Sequence, residues 1–367
     1  PFWAMPCAPI FFLWGALLIA GGVRRKRRGG RGAVLFNLGI LLLALAAVEV
    51  YLGAVAKENT RLVRREKPGT FAKLDETLGF SARPGFTSRF TSMAGEETIF
   101  DVVYTIGEDG LRVRPPLADP PPEESVLLFS CSYVFGTGLN DDEAWPWLLE
   151  QKLEGGYRCY NFGFPAYSPN QMLAYLESGE TEALIEQPPR HVIFLAIGDH
   201  GRRVIGQAGY ARNEPRFVMQ PDGTVRRDGL WGDEGSHRWE ARVRQLVHHS
   251  HLARLLMRRL VPSRRDDDLL VAIVATARDR VEERWPDCDF RVLVWDFPPS
   301  QTDPIEEGLR ARGLDVTRLS TILEGLREDP SPWRLHRLDD HPNTRAASAI
   351  ADHLASVIAA TEAVVVR

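Results

Sequence analysis

From Ser125 to the end of the chain, short apolar runs alternate with stretches patterned as helices, and this alternation limits the fold more than any other feature. "SVLLFS" leads to a helical pattern over Asp142 to Leu153, and "YRCYNFG" leads to one near Asn170 to Ser178. "HVIFLAIG" follows, and later "FRVLVWDFP" with a helix from Ile305 to Arg312. A last helix, Thr344 to Ala360, comes after "DDHPN". Near-continuous apolar strands are buried on both faces, and helices between them provide the crossovers that parallel pairing needs. The expectation is an α/β fold, a parallel sheet with helices on both sides.

The first 56 residues are of another kind. Phe2 to Val23 and Ala33 to Ala56 are apolar runs, each near the ~20 residues that cross a bilayer as a helix. Between them stands "RRKRRGGR", residues 24–31, with six basic residues in eight. Such loops collect on the cytoplasmic side, which places both outer ends and the rest of the chain outside. "KENTRLVRREK", residues 57–67, is also basic and reduces that asymmetry. A signal peptide carries its charge ahead of the apolar run, not after it, so residues 2–23 and 33–56 are read as two membrane helices, with Glu49 near the outer end of the second.

Residues 57–124 read as an approach segment. "DVVYTIGEDGLRVRPP" alternates like a strand into a turn at Asp109 and Gly110, and "RPPLADPPPEE", residues 114–124, is a proline-rich linker. Ser236 to Leu260 has apolar positions at helical spacing among Arg and His, the pattern of an amphipathic helix packed on the domain. His248, His249 and His251 within it do not share one helix face, so they are read as surface residues.

Several classes of function are excluded by what the sequence lacks. A net charge of −4 gives no footprint for nucleic acid. Cys7, Cys131, Cys159 and Cys288 are scattered and form no Cys-x-x-Cys, so neither a disulfide framework nor a metal site is expected. "GTGLND" has neither the P-loop Lys nor the dinucleotide glycine spacing, and no cofactor is expected.

Chemistry in an open parallel sheet belongs where strands end. Ser132 lies just past "SVLLFS", Gly163 ends "YRCYNFG", and Asp199, His200 and Arg202 follow "HVIFLAIG". Taken alone, each is an ordinary strand terminus. Near the C-terminus, "RLDDHPNTRAA" puts Asp339, Asp340 and His341 in one loop before a helix. A serine nucleophile needs a base, and the base needs a carboxylate to fix its tautomer. The two ends of the domain together hold such a set.

In order and spacing, "DVVYTIGEDGLR", "LLFSCSYVFGTGLNDDEAWP", "YNFGFPAYSPNQML" and "DDHPN" resemble the blocks of the SGNH (GDSL-type) hydrolase superfamily, over residues 75–360 and in particular its membrane-anchored bacterial members. The resemblance implies a three-layer α/β/α, flavodoxin-like domain at residues 125–367, held outside the inner membrane in the periplasm by an anchor at residues 1–56. It implies an acyl-serine esterase with Ser132 as nucleophile, His341 as general base and Asp339 as supporting carboxylate, Asp340 being the alternative. The N–H groups of Ser132 and Gly163 would contribute to the oxyanion hole. Ester-bearing, typically O-acylated, glycans are the implied substrates, with O-acyl transfer or catalytically inactive glycan or partner binding in envelope polysaccharide assembly as alternatives. No oligomeric state is implied.

The sequence departs from the family at three points. Ser130 replaces a glycine, with a backbone penalty of about 1 to 3 kcal/mol if φ must be positive. Leu338 stands where the family usually has its Asp. "AIGDH" offers Gly198, Asp199 and His200 in place of the family's Asn; an ionised Asp199 accepts only, which leaves His200 as the possible donor to the oxyanion. Cys131, adjacent to Ser132 on an extended segment, is expected to face the interior.

Overall fold

Five strands form the central sheet: β6 (Glu124–Phe129), β7 (Tyr157–Asn161), β8 (Pro189–Ile197), β11 (Asp289–Trp295) and β12 (Asp315–Arg318). Their order is β12-β11-β8-β6-β7, every neighbouring pair parallel. In sequence order this is the 2-1-3-4-5 arrangement of doubly wound sheets, whose direction of growth reverses beside the first strand. The computed structural model describes residues 7–28, 32–61, 63–66, 71–206, 213–233, 250–253, 255 and 264–365.

The period of two along each strand divides the interior into two cores. Leu127 and Phe129 of β6 join one, while Val126 and Leu128 join the other; β8 splits in the same way into Val192, Phe194 and Ala196 against Ile193, Leu195 and Ile197. The first core is closed by α5 (Pro169–Ser178) and by the helices Arg264–Arg284 and Pro299–Ala311. The second is closed by α4 (Trp145–Lys152) and the C-terminal helix Thr344–Val365. This is the expected three-layer α/β/α arrangement. The helices expected at Asp142 and Ile305 begin instead at Trp145 and Pro299, each with a proline in its first turn, a position that tolerates its missing N–H.

Residues 71–113 share the first core. β2 (Ala72–Asp75) pairs antiparallel with β3 (Gly79–Ala82), and β4 (Thr87–Ala94) with β5 (Glu97–Thr105). Their aromatic rings pack against the sheet domain: Phe71 lies 5.1 Å from Phe164, and Tyr104 meets Phe135 edge-on at 5.1 Å. The proline-rich stretch that follows carries no regular element.

The chain divides into two units, residues 64–233 with 262–367, and residues 1–63 with 234–261. In the second unit, α1 (Cys7–Arg27) packs against α2 (Ala33–Arg61). A Cβ on Gly39 would lie 2.7 Å from the Gly15 carbonyl oxygen, and one on Gly22 would lie 2.8 Å from that of Gly32. Glycine at these points lets the two backbones approach closely. Two membrane helices were expected; among the described residues one, Ala33–Ala54, is long and apolar enough to cross a bilayer, with mean hydropathy 2.4. The last turn of α1 is basic throughout, Arg24 to Arg27, which cuts its apolar length. Most of the amphipathic stretch 236–260, with His248 and His249, lies outside the described residues. Where it is described, Ser250 Oγ and the Leu252 N–H donate to Glu49 of α2, each at 2.9 Å, so this part packs on α2.

Candidate active site

β6 is followed by Ser130, whose hydroxyl donates to the Leu195 carbonyl of β8 at 2.6 Å. Its φ is not positive, so the strain that a serine would suffer at a glycine position does not arise. Cys131 is fully buried in the second core. Its carbonyl accepts from the N–H groups of Val134 and Phe135, which winds the four-residue helix α3, Ser132–Phe135. Ser132 occupies the first position of α3, and its N–H makes no hydrogen bond to the described chain. The turn closes at Gly136, left-handed at φ 82°.

The partner of Ser132 arrives from the other end of the domain. β14 (Asp339–Pro342) pairs with β13 (Arg334–His336) and carries His341 to α3. His341 Nε2 lies 2.8 Å from Ser132 Oγ, and His341 Nδ1 lies 2.5 Å from Asp339 Oδ1. The Asp339 oxygen also accepts from the His341 backbone N–H at 3.2 Å. Asp339 is buried and His341 is one-fifth exposed, so the imidazole is open to solvent on one side while the carboxylate is enclosed. Asp340, the alternative carboxylate, is turned outward, 68% exposed and paired with Arg334 at 2.8 Å. The side chain two residues before the histidine thus meets the imidazole, because alternate residues of β14 share a face.

Tyr133 fastens this junction, and sequence reading gave it no role. Its hydroxyl donates to the Asp340 carbonyl at 2.9 Å, and its ring lies between Trp295 and His341, 5.3 Å from each. Burial pushes the phenol above its usual range, so it remains a donor at neutral pH. Asn161, at the end of β7, is a second such residue: its Nδ2 donates to the Val134 carbonyl at 3.1 Å, and its Oδ1 accepts from the Gly163 N–H at 3.0 Å. Gly163 therefore spends its N–H on Asn161. Its missing side chain has another use, since a Cβ there would lie 2.7 Å from the Phe135 nitrogen, beneath α3.

The residues after β8 have different partners. His200 is completely buried, its ring stacked on Phe194 at 5.7 Å and its Nδ1 accepting from the Ile197 N–H at 3.3 Å. That bond puts the ring proton on Nε2, and burial holds the pKa well below the ordinary histidine value. Asp199 accepts from Arg202 and Arg203, the latter at 2.9 Å. Of the two residues expected to serve an oxyanion or a substrate, His200 is thus a packed ring and Asp199 an ion-paired carboxylate. Arg203 continues inward to the Tyr167 carbonyl at 2.7 Å.

No family model and no curated protein matches this chain. Among solved structures it is similar to a putative lipolytic protein of the G-D-S-L family from Desulfitobacterium hafniense DCB-2, at 12% identity over 64% of this chain and 99% of that one, with a TM-score of 0.38. It is also similar to a carbohydrate esterase family 2 enzyme with a carbohydrate-binding domain from Corynascus thermopiles, at 14% identity over 74% and 72% of the two chains, TM-score 0.38. An acetyl xylan esterase from the rumen bacterium Butyrivibrio proteoclasticus is similar at 12% identity over 69% and 66%, TM-score 0.36.

Proposed function

We propose that this chain is an SGNH-type serine esterase working through an acyl-serine intermediate. The observation that carries the reading is the relay from Ser132 through His341 to Asp339, with contacts of 2.8 and 2.5 Å. Ser132 Oγ attacks the acyl carbon as His341 Nε2 takes its proton, and Asp339 holds the tautomer and stabilises the imidazolium. The proton then passes to the departing alcohol. Water, or a sugar hydroxyl in the transferase variant, repeats the sequence to release the acyl group.

The free N–H of Ser132 at the start of α3 is the donor available to the oxyanion. Gly163 is committed to Asn161 and His200, at the exit of β8, is completely buried, so the hole is sparse. One missing donor typically costs about 100- to 1000-fold in rate. A slow esterase fits this site better than a fast one. The substrate class follows the sequence resemblance: an O-acylated glycan or another ester of the cell envelope. The apolar faces of α1 and α2, with Phe12, Leu13, Leu41 and Val50 exposed, support an integral anchor, and the basic loop between them supports a catalytic unit held outside the cytoplasm.

The test is labelling of the full-length protein by a fluorophosphonate, with Ser132→Ala as control. Adduct on Ser132 and turnover of p-nitrophenyl acetate, both lost in the variant, are expected. An unlabelled wild type without turnover sinks the esterase and leaves a ligand-binding domain.

A further inference from the structure

We infer that Arg112 is a positioning residue for the Ser132 turn, and that the β-sheet region carrying it is part of the active site rather than a spacer. The inference rests on Ser132 being the nucleophile. α3 has four residues, too few to satisfy its own carbonyl groups. Arg112 supplies what is missing. Its guanidinium, 1% exposed, donates from Nη1 to the carbonyls of Phe135 at 2.5 Å and Gly136 at 2.9 Å, and from Nη2 to that of Leu139 at 2.7 Å. Nε completes the set on Asp141 at 3.0 Å.

The seat is shaped for a planar cation. The rings of Tyr104 and Phe135 lie 4.9 and 4.8 Å from the guanidinium carbon. A Cβ on Gly136 would come within 2.7 Å of Nη1, so this glycine serves both the left-handed turn and the approach of the arginine. β5 reinforces the grip: the Tyr104 hydroxyl accepts from Gly138 N–H at 2.7 Å, and the N–H groups of Val103 and Thr105 donate to Asn140 and Asp141, each at 3.1 Å. Asn161 fixes the Val134 carbonyl from the opposite side. A helix too short to hold itself is therefore clamped from two directions, and its first residue is the one that must meet His341.

The role is separable from plain stability. Full-length Arg112→Met and Arg112→Lys are compared with Val102→Ala, which removes buried volume from β5 and touches none of these bonds. Displacement of the nucleophile by about 1 Å costs about 100-fold, and that loss is expected in fluorophosphonate labelling and in kcat of Arg112→Met, with KM moving by less than about three-fold. The pH dependence should keep its midpoint, since His341 and Asp339 are untouched. Arg112→Lys should fall between, because an ammonium lacks the fork that reaches all four acceptors. Val102→Ala should lose Tm and keep the wild-type labelling rate. A folded Arg112→Met that labels within about three-fold of wild type overturns the proposal, as does an equal loss in Val102→Ala. Should Arg112→Met not fold, Arg112→Lys decides on the same criterion. If wild type is not labelled at all, the nucleophile reading fails by itself; amide exchange over residues 134–141 then decides whether Arg112 holds the turn, faster in the variant if it does and unchanged if it does not.

Discussion

β6 and β8 lie side by side, run in the same direction and end at the same edge of the sheet, yet their exits differ in what they face. β6 leads into α3, whose first residue meets a histidine brought by a strand about 200 residues further along the chain. β8 leads into α7 (His200–Val204), and the polar groups there close on their own neighbourhood: Asp199 on Arg202 and Arg203, His200 on the Ile197 N–H. The two exits are equally rich in chemically able side chains. A strand terminus gains a hydrogen-bonded relay only where a second element delivers a complementary group, and β14 delivers His341 to the exit of β6.

The sharpest way to break this comparison is to exchange the roles of adjacent carboxylates. Asp339→Asn keeps the shape of the loop but removes the charge beside His341 Nδ1, and by analogy with other triads kcat should fall by about 10⁴-fold. Asp340→Asn should leave turnover near wild type, since that carboxylate faces Arg334 and solvent. Steady-state kinetics with p-nitrophenyl acetate decides; a larger loss in Asp340→Asn would reverse the assignment of the two.

Ser132, His341 and the strand–helix alternation were legible because they depend on local pattern and chain order. Both exits present polar residues after an apolar run, and the run alone does not say which will be met. Arg112 stands inside a stretch that sequence reading singles out, "DVVYTIGEDGLR", but only as a strand running into a turn at Asp109 and Gly110, with no role for the arginine. Its work appears only once residues 71–113 fold back on α3. Asn161 and Tyr133 were hidden for the same reason, since each holds main-chain groups, and a bond to a carbonyl leaves no residue-type signature on the partner. Ser130 shows the converse: family position made it look strained, while its actual backbone is ordinary and its hydroxyl is satisfied by β8.

The β8 exit can be tested as the structural half of the pair. Asp199→Ala leaves the nine-tenths-buried Arg203 without this carboxylate, and breaking a pair of this kind costs on the order of 3 kcal/mol. A lowered Tm is expected, with fluorophosphonate labelling per folded molecule close to wild type. Loss of labelling at unchanged Tm would return Asp199 to the catalytic site and erase the contrast between the two strands.

A smaller effect separates the two exits by pH. Glu214 is completely buried beside Ser168, whose hydroxyl donates to it at 3.3 Å. Burial raises its pKa to about 8 from 4.5, with Arg203 opposing the rise and Asp199 adding to it. Between these values the folded chain holds a proton that the unfolded chain has lost, so this group's contribution to stability falls as pH rises through the window. His200 acts in the opposite sense: neutral when folded and protonated when unfolded, it subtracts stability as pH drops below 6.5. The two slopes oppose each other from pH 4.5 to 6.5, and above 6.5 Glu214 acts without that offset. Between pH 6.5 and 8 it should remove about 2 kcal/mol. Tm measured at both pH values should drop in the wild type and hold nearly level in Glu214→Gln, which keeps the shape of the side chain without the titration. Equal drops in both proteins would mean that Glu214 is ionised in the fold, and the buried charges behind β8 would then have to be reassigned from a protonated carboxyl to a second ion pair with Arg203.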